Sequence, residues 1–250
     1  MTQTVIVIPA RLGSTRLPNK PLADIDGKPM IIRVVEQAKS ANLGPVIVAC
    51  CGPEIRCVVE SHGGFAIETD PDLPSGSDRI VAALRQYDPD NKFEYIINLQ
   101  GDLPLIDPRD IKKSLIPITR YDYDIGTLGA EIKDPNEINN PNVVKIALSA
   151  WQTNDDLSIA KAIYFSRLPV PATAKHFYHH IGIYAYRRYA LERFVTLSPS
   201  YLETTEKLEQ LRALEDGMTI GVGLVDSVPL SVDTPQDLEN VRDITKSVKR

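Results

Sequence analysis

Residues 5–22, VIVIPARLGSTRLPNKPL, decide how the rest of the chain is interpreted. The run 5–8 is apolar and β-branched, has the length of a strand and shows no helical period. Gly13 and Pro18 interrupt the segment that follows, so a regular helix cannot form there. The sequence therefore predicts a buried first strand that delivers a loop to the carboxyl edge of an α/β sheet, where ligands bind.

This loop is basic, because it carries Arg11, Arg16 and Lys20 and no acidic residue. Composition alone fits an ordinary solvated loop as well as an anion-binding loop. The position directly after the first strand favours an anion, and phosphate is the natural candidate. Neither glycine-rich phosphate motif is present, so guanidinium and ammonium groups are expected to hold the anion more than backbone amides.

The composition of the whole chain limits the possible classes of protein. The 250 residues suit one large α/β domain or two small ones, and 43% apolar with 24% charged residues is ordinary for a globular protein. A net charge of −5 disfavours a nucleic-acid binder. No apolar run approaches a membrane span and no export signal begins the chain, so no membrane association is expected. The three cysteines are odd in number and lack zinc-pair spacing, which indicates packing residues in a reducing cytoplasm.

The remaining pattern predicts an α/β fold with a mainly parallel sheet flanked by helices and an added smaller mixed or antiparallel layer. Strands and helices alternate up to about residue 121, and the rhythm changes from Asp122. We expect a single domain, 1–250, in which the core comprises about 1–121 and 187–250 and the added layer about 122–186. One helix is predicted over 201–216. A final helix is predicted after Thr234, with four residues facing inward: Leu238, Val241, Ile244 and Val248.

Two carboxylates stand out because each lies beside a turn-forming residue at the end of a predicted strand. Asp102 follows Gly101, and Asp233 precedes Thr234, which is itself a good helix N-cap. An Asx-type turn is the alternative role for Asp102. If both carboxylates converge near a triphosphate, they would hold Mg²⁺ together with phosphate oxygens. Asp-x-Asp triplets, which can mark a glycosyltransferase metal site, are expected here to be turns formed by chance: 24–26, 70–72, 88–90 and 122–124.

The chain resembles the 3-deoxy-manno-octulosonate cytidylyltransferases, also called CMP-Kdo synthetases. The resemblance runs nearly end to end, and its specificity comes from the order and joint presence of motifs that are weak singly. These are IPAR at 8–11, STRLP at 14–18, KPL at 20–22, GKPM at 27–30, SG at 75–76 with Arg79, QGD at 100–102, NPN at 140–142 with VK at 144–145, YFSR at 164–167, HIGIY at 180–184, LEQLR at 208–212 and VDTP at 232–235. Leu103 departs from the family pattern, which usually has a second acidic residue there.

The resemblance implies that a Kdo-like sugar acid attacks the α-phosphate of CTP, giving CMP-Kdo and pyrophosphate for lipopolysaccharide assembly. It implies a nucleotidyltransferase domain, a homodimer and a Mg²⁺ cofactor. The residues carried over to catalysis are Arg11, Lys20, Asp102 and Asp233, with Asp102 and Asp233 as the metal ligands. Those carried over to the nucleotide are Arg11, Ser14, Arg16, Lys20, Ser75, Gly76, Arg79 and Gln100. Those carried over to the sugar acid are Arg167, His180, Tyr184, Glu209 and Gln210.

Three alternatives stay open at this point. An acylneuraminate cytidylyltransferase would share the basic first loop, and a cytidylyltransferase for 8-amino-Kdo is a related alternative. A glycosyltransferase would instead use one of the Asp-x-Asp triplets. A non-catalytic nucleotide-binding module would show no metal-dependent turnover.

Overall fold

A computed structural model describes residues 3–13, 16–153 and 157–248. The chain divides into two compact units, the first formed by 1–111 and 229–250 and the second by 112–228. The arrangement of the predicted core and added layer in one domain stays a prediction. Within the described ranges, no helix is both long enough and apolar enough to span a bilayer.

The secondary structure follows the predicted alternation in the first unit and becomes mainly extended in the second. The chain order is β1 (Thr4–Ala10), a 3₁₀ turn (Lys20–Leu22), β2 (Asp24–Ile25), β3 (Lys28–Pro29), α1 (Met30–Ser40), β4 (Val46–Cys50), α2 (Pro53–Ser61), β5 (Ala66–Glu68), α3 (Gly76–Tyr87), β6 (Tyr95–Asn98), α4 (Pro108–Arg120), β7 (Ile125–Glu131), α5 (Pro135–Ile138), β8 (Lys145–Leu148), β9 (Gln152–Thr153), β10 (Ser158–Ser166), β11 (Tyr178–Arg187), α6 (Arg188–Thr196), α7 (Tyr201–Glu206), α8 (Leu211–Glu215), β12 (Ile220–Val225) and α9 (Pro235–Val248).

The first unit contains a parallel sheet in the order β5-β4-β1-β6. Strand β1 lies between two neighbours, and its residues 5–8 are completely buried. A strand covered on both faces must be apolar along its whole length, which is why the run VIVI lacks alternation. The predicted parallel sheet is confirmed here, and the carboxyl end of β1 leads directly into the basic loop.

The second unit is mixed, in the order β11-β7-β12-β10-β8. Strands β7 and β12 are parallel, whereas β11, β10 and β8 join by antiparallel pairing. Gly126 on β7 is required by close packing, because a Cβ there would lie 2.2 Å from the carbonyl oxygen of Ser114. The prediction of added mixed or antiparallel strands is confirmed.

Several local predictions are wrong or incomplete. The helix predicted over 201–216 is two short helices, because Lys207 adopts the left-handed conformation (φ 57°) and ends α7. Ile244, predicted to face inward on α9, is 41% exposed, and Thr245 is buried in its place. The side chain of Val248 lies outside what the structure describes.

Candidate active site

A pocket of about 450 Å³ lies in the first unit, where its parallel strands end. Four stretches that are distant in sequence line it, within 9–21, 73–79 and 100–102 and at Asp233. The lining includes nine residues predicted for the nucleotide and metal: Arg11, Arg16, Lys20, Ser75, Gly76, Arg79, Gln100, Asp102 and Asp233. The remaining predicted nucleotide residue, Ser14, lies outside the described residues. The tertiary structure thus brings these motifs together around one cavity.

The basic loop reaches the pocket through a short turn with defined backbone contacts. Asn19 takes the left-handed conformation (φ 55°), and Leu22 N donates to its carbonyl oxygen at 2.8 Å. Lys20 N donates to the carbonyl oxygen of Leu17 at 3.2 Å. Leu17 itself packs against a buried cluster that includes Val232, the residue before Asp233. The backbone at Lys20 is therefore held near the segment that carries the second carboxylate.

Lys20 bridges the two predicted metal-binding carboxylates. Its Nζ donates to Asp102 Oδ2 at 2.8 Å and to Asp233 Oδ1 at 3.0 Å. Arg16 Nη2 lies 3.4 Å from the same Asp233 oxygen but is far more exposed. Burial alone would lower the pKa of Lys20, but Asp102 and Asp233 outweigh this effect and raise the pKa above its ordinary value. The ammonium group is therefore fully charged at neutral pH.

Backbone contacts explain why two aspartates 131 positions apart converge. Val232 N donates to the carbonyl oxygen of Asp102 at 3.0 Å, which joins the two segments directly. Asp237 Oδ2 accepts from the backbone N–H of Asp233 at 3.1 Å and from Thr234 N at 2.8 Å. In return Thr234 Oγ1 accepts from Asp237 N at 3.2 Å, so Thr234 is the helix N-cap, as its sequence position predicts. Helix capping is thus done by Thr234 and Asp237, and the Asp233 carboxylate faces the pocket.

The donor set at this point fits Mg²⁺ bound together with a nucleotide. Asp102 and Asp233 supply carboxylate oxygens, and Mg²⁺ is usually held by one or two carboxylates together with phosphate oxygens and waters. Among the described residues, no group of three or more His, Cys, Asp or Glu side chains could form a metal site unaided. Leu103, which replaces a second acidic residue of the family pattern, is buried and offers no ligand.

Ser75, Arg79 and Gln100, which are predicted for the nucleotide, also shape the pocket wall. Ser75 caps α3, because its Oγ accepts from Asp78 N at 3.2 Å and donates to Asp78 Oδ2 at 2.7 Å. Arg79 is 3% exposed, and its guanidinium group donates to Thr69 Oγ1 at 2.6 Å and to the carbonyl oxygen of Asp70 at 3.0 Å. Gln100 Nε2 donates to Asn98 Oδ1 at 2.8 Å, and the side-chain carbonyl oxygen of Gln100 takes no part in this contact. These contacts hold the wall in one conformation.

The predicted sugar-acid residues all belong to the second unit. Arg167 is tied to backbone carbonyl oxygens by Nε at 3.0 Å from Glu206, Nη1 at 2.9 Å from Pro141 and Nη2 at 3.3 Å from Lys207. A guanidinium group has five N–H donors. Two of them therefore have no partner in these three contacts, and they can meet an anionic ligand.

His180 is buried on β11 as a neutral ring with a defined proton position. Thr127 Oγ1 lies 2.8 Å from the carbonyl oxygen of Ile183, 3.2 Å from that of Ile181 and 3.1 Å from His180 Nε2. A hydroxyl has one proton to donate, and the carbonyl oxygens take it, so we assign a proton to His180 Nε2. Burial lowers the pKa of His180 to about 3, and the adjacent His179 contributes further. His180 is then an Nε2–H donor with Nδ1 as a hydrogen-bond acceptor.

Tyr184 lies close to His180, and Glu209 is near enough to Tyr184 for its charge to act on the hydroxyl. The rings of Tyr184 and His180 have centroids 5.5 Å apart. Burial raises the pKa of the Tyr184 hydroxyl well above its ordinary value, with smaller contributions from Tyr186 and Glu209. Glu209 lies 4.0 Å from Arg212, and Gln210 is buried at the start of α8. The structure therefore brings His180 and Tyr184 together, with Glu209 in the surroundings of Tyr184, whereas Arg167 is held by a different set of backbone contacts.

Lys145 was not singled out as a site residue, yet it holds the segments around Arg167. It is completely buried, and its Nζ donates to the carbonyl oxygens of Asn140 at 2.9 Å, Val143 at 2.6 Å and Arg167 at 2.5 Å. Burial lowers its pKa, and the positive charge of Arg167 adds to the shift. A lysine inside the apolar run VVKIAL at 143–148 was the signal available in the sequence.

Asp124, the third residue of one Asp-x-Asp triplet, has a structural role. Its Oδ2 accepts from Thr219 N at 2.7 Å and from Thr219 Oγ1 at 2.8 Å, and Oδ1 accepts from the Tyr189 hydroxyl. These contacts use the carboxylate to fix the start of β12. Among the described residues, the carboxylates that converge in a pocket with a cationic loop are instead Asp102 and Asp233.

Comparisons with known proteins agree with this geometry. Residues 5–220 match a family model described as cytidylyltransferase. The 3-deoxy-manno-octulosonate cytidylyltransferase of Paramagnetospirillum magneticum is 53% identical over 243 residues, which are 97% of this chain and 98% of that protein. The enzyme of the same name from Brucella anthropi is 54% identical over 96% of this chain and 95% of its own length. A solved structure of CMP:2-keto-3-deoxy-manno-octonic acid synthetase complexed with CTP has a TM-score of 0.88 and 39% identity, covering 98% of this chain and 99% of that one.

Proposed function

The chain belongs to the 3-deoxy-manno-octulosonate cytidylyltransferase family, and we propose that it activates Kdo with CTP. The products are CMP-Kdo and pyrophosphate, and CMP-Kdo serves lipopolysaccharide assembly. The observation that carries this proposal is the 450 Å³ pocket, where nine residues named from separate motifs line one cavity. Its contents, a cationic loop facing two carboxylates, match what a metal-bound nucleoside triphosphate needs.

The cations of the pocket serve the triphosphate. Arg11, Arg16 and Lys20 present three positive charges on one loop. A cation about 4 Å from a phosphate oxygen contributes on the order of 4 kcal/mol at an effective dielectric constant of 20. The guanidinium groups can grip phosphate oxygens in pairs, whereas the lysine acts as a point charge. Leu73, Pro74 and Ser75 line the same pocket.

The reaction is a substitution at the α-phosphorus of CTP. The anomeric hydroxyl oxygen of the sugar acid forms the new P–O bond, the bond from that phosphorus to the bridging oxygen of pyrophosphate breaks, and the hydroxyl proton passes to solvent or base. No protein nucleophile is required, because phosphoryl-type transfer depends on positioning and on neutralising charge. Lys20 and the two arginines stabilise the negative charge that develops on the leaving pyrophosphate.

Asp102 and Asp233 are proposed to hold Mg²⁺ with the phosphate oxygens. The bound metal supplies Lewis-acid stabilisation of the phosphate and keeps the reacting groups in line. The protein contributes the fixed separation of the two carboxylates through the hydrogen bond from Val232 to the Asp102 backbone. Asp237 contributes by holding the backbone N–H of Asp233.

The second unit is proposed to bind the sugar acid. Two N–H donors of the Arg167 guanidinium group lie outside its three contacts with backbone carbonyl oxygens, and these two suit the carboxylate of Kdo. His180 and Tyr184 are neutral at neutral pH, since burial shifts the pKa of His180 to about 3 and raises that of Tyr184. Neutral donors and acceptors suit sugar hydroxyls, and Glu209 and Gln210 add further acceptors.

The protein is further proposed to work as a homodimer in the cytoplasm. Large apolar side chains on the second unit are exposed, including Ile163 at 56% and Leu168 at 69%, and a dimer surface would cover such groups. Cys50, Cys51 and Cys57 are free thiols, as a reducing compartment favours.

A pyrophosphate-release assay with CTP and Mg²⁺ tests the proposal. Kdo, 8-amino-Kdo and N-acetylneuraminate are offered in parallel, and Kdo is expected to give the highest kcat/KM. Faster turnover with N-acetylneuraminate would transfer the assignment to an acylneuraminate cytidylyltransferase. If Asp124→Asn abolishes activity while Asp102→Asn leaves it intact, an Asp-x-Asp glycosyltransferase replaces the present proposal.

A further inference from the structure

We propose that Lys20 keeps divalent cations off the Asp102–Asp233 pair until a nucleotide draws its ammonium group away. This inference rests on the proposed function, since it concerns how that site admits its metal. Metal and nucleotide would then enter as one unit, and the nucleotide-free protein would hold a lysine between the carboxylates instead of an ion.

The ammonium group of Lys20 and a metal ion would occupy the same space. Lys20 Nζ lies 2.8 Å from Asp102 Oδ2 and 3.0 Å from Asp233 Oδ1. Mg²⁺ bound to carboxylate oxygens sits about 2.0–2.1 Å from them, so it would lie between the same oxygens. The Lys20 side chain is only 15% exposed, whereas those of Asp102 and Asp233 are 27% and 44% exposed. The lysine is therefore the buried member of the cluster.

Beside Asp102 and Asp233, the described residues provide few further ligands for a cation. The described residues contain no third His, Cys, Asp or Glu that would complete a metal site with Asp102 and Asp233. Arg16, 3.4 Å from Asp233, adds a second positive charge that repels a cation. A metal ion arriving alone would displace an ion pair and gain only two carboxylates.

A triphosphate changes both conditions at once. It gives the Lys20 ammonium group new anionic partners in the same pocket, and it supplies the phosphate oxygens that a metal needs as further ligands. Binding of one ligand then favours binding of the other. Such coupling between two ligands typically amounts to a 5- to 150-fold change in affinity and is reciprocal.

The test measures metal affinity in the absence of nucleotide. Mn²⁺ is titrated into nucleotide-free protein, and free Mn²⁺ is followed by its electron paramagnetic resonance signal. Lys20→Met is expected to bind Mn²⁺ at least tenfold more tightly than the wild type. Adding Asp102→Asn to that variant is expected to abolish the gain, which places the ion at the carboxylates. Lys20→Gln also removes the positive charge but keeps an N–H donor for a carboxylate. The same Mn²⁺ titration is made with this variant if Lys20→Met folds poorly.

Arg11→Met is the matched control, because Arg11 lines the same pocket but forms no hydrogen bond or ion pair with Asp102 or Asp233. It is expected to change Mn²⁺ affinity less than threefold. Equal affinity of wild type and both Lys20 variants would overturn the proposal, and so would an equal gain in Arg11→Met. A wild type that releases no pyrophosphate from CTP and Kdo would refute the proposed function instead, while the Mn²⁺ titration still decides the role of Lys20.

Discussion

Replacing Asp102 by Asn tests the central electrostatic contact of the pocket. The change removes one of the two carboxylate charges on Lys20 but keeps an oxygen of similar position. At an effective dielectric constant of 20 and a separation of 2.8 Å, the Coulomb attraction between Asp102 and Lys20 is about 6 kcal/mol before any desolvation cost. The carboxylate is 27% exposed and the amide can still accept a hydrogen bond, so we expect a stability loss of only about 1–2 kcal/mol.

The expected effect on catalysis is larger than the effect on stability. Asp102 would lose its role as a metal ligand, and the loss of one preorganised electrostatic contact typically lowers kcat by about 10²–10³-fold, or about 3–4 kcal/mol. Asp233→Asn is expected to act in the same direction. Because both carboxylates share Lys20, the effects of the two changes should not add in the double variant.

The assay is initial-rate pyrophosphate release at saturating CTP, Kdo and Mg²⁺, with urea unfolding measured on the same samples. Asp90→Asn serves as control, because Asp90 forms an exposed ion pair with Lys92 outside the pocket. A kcat for Asp102→Asn within threefold of the wild type would show that this carboxylate does not bind the catalytic metal. A loss of kcat fully explained by unfolding would refute the reasoning as well.

Three further predictions concern the pocket wall and the second unit. Arg79→Lys should lower the free energy of unfolding by about 2 kcal/mol and raise the KM for CTP, because an ammonium group cannot make the paired hydrogen bonds of the planar guanidinium group. An unchanged melting temperature and KM would contradict this prediction. Burial lowers the pKa of His180 from 6.5 to about 3. Below pH 6.5 the unfolded chain therefore binds a proton that the folded protein does not bind. The free energy of unfolding should fall as pH falls, by up to about 1.4 kcal/mol per pH unit. His180→Gln should flatten this slope in urea titrations between about pH 6 and pH 4, and parallel slopes would contradict it. Gly126→Ala should lower the free energy of unfolding in urea by about 3 kcal/mol or more, because its Cβ would lie 2.2 Å from the Ser114 carbonyl oxygen. Gly182→Ala is the control and should change stability little, because a Cβ there has nothing within 4 Å. Equal effects of the two variants would refute the argument.

The first unit was predicted well because its strand, loop and helix cap each depend on residues that are close together along the chain. A buried parallel strand must be apolar on both faces, so β1 was visible as the run 5–8, and Gly13 and Pro18 marked the loop after it. The reciprocal cap of Thr234 and Asp237 was likewise predictable, since four consecutive residues contain the whole interaction.

The second unit was harder to predict because tertiary contacts override local preference there. The helix predicted over 201–216 breaks at Lys207, where Glu206 instead accepts from the hydroxyls of Tyr164 at 3.3 Å and Ser166 at 3.2 Å. Helical spacing alone placed Ile244 inward, yet burial depends on what packs against the helix and not only on its period.

The amino-acid sequence by itself determined the family, the cationic loop and the identity of the two pocket carboxylates, because each depends on residue types in fixed local order. Only the tertiary structure decided that Lys20 lies between Asp102 and Asp233 and that Lys145 is buried among carbonyl oxygens. Lys20 lies 82 positions from Asp102 and 213 from Asp233, and Lys145 lies 22 positions from Arg167. Such contacts depend on how strands and loops pack, and no local pattern encodes those distances.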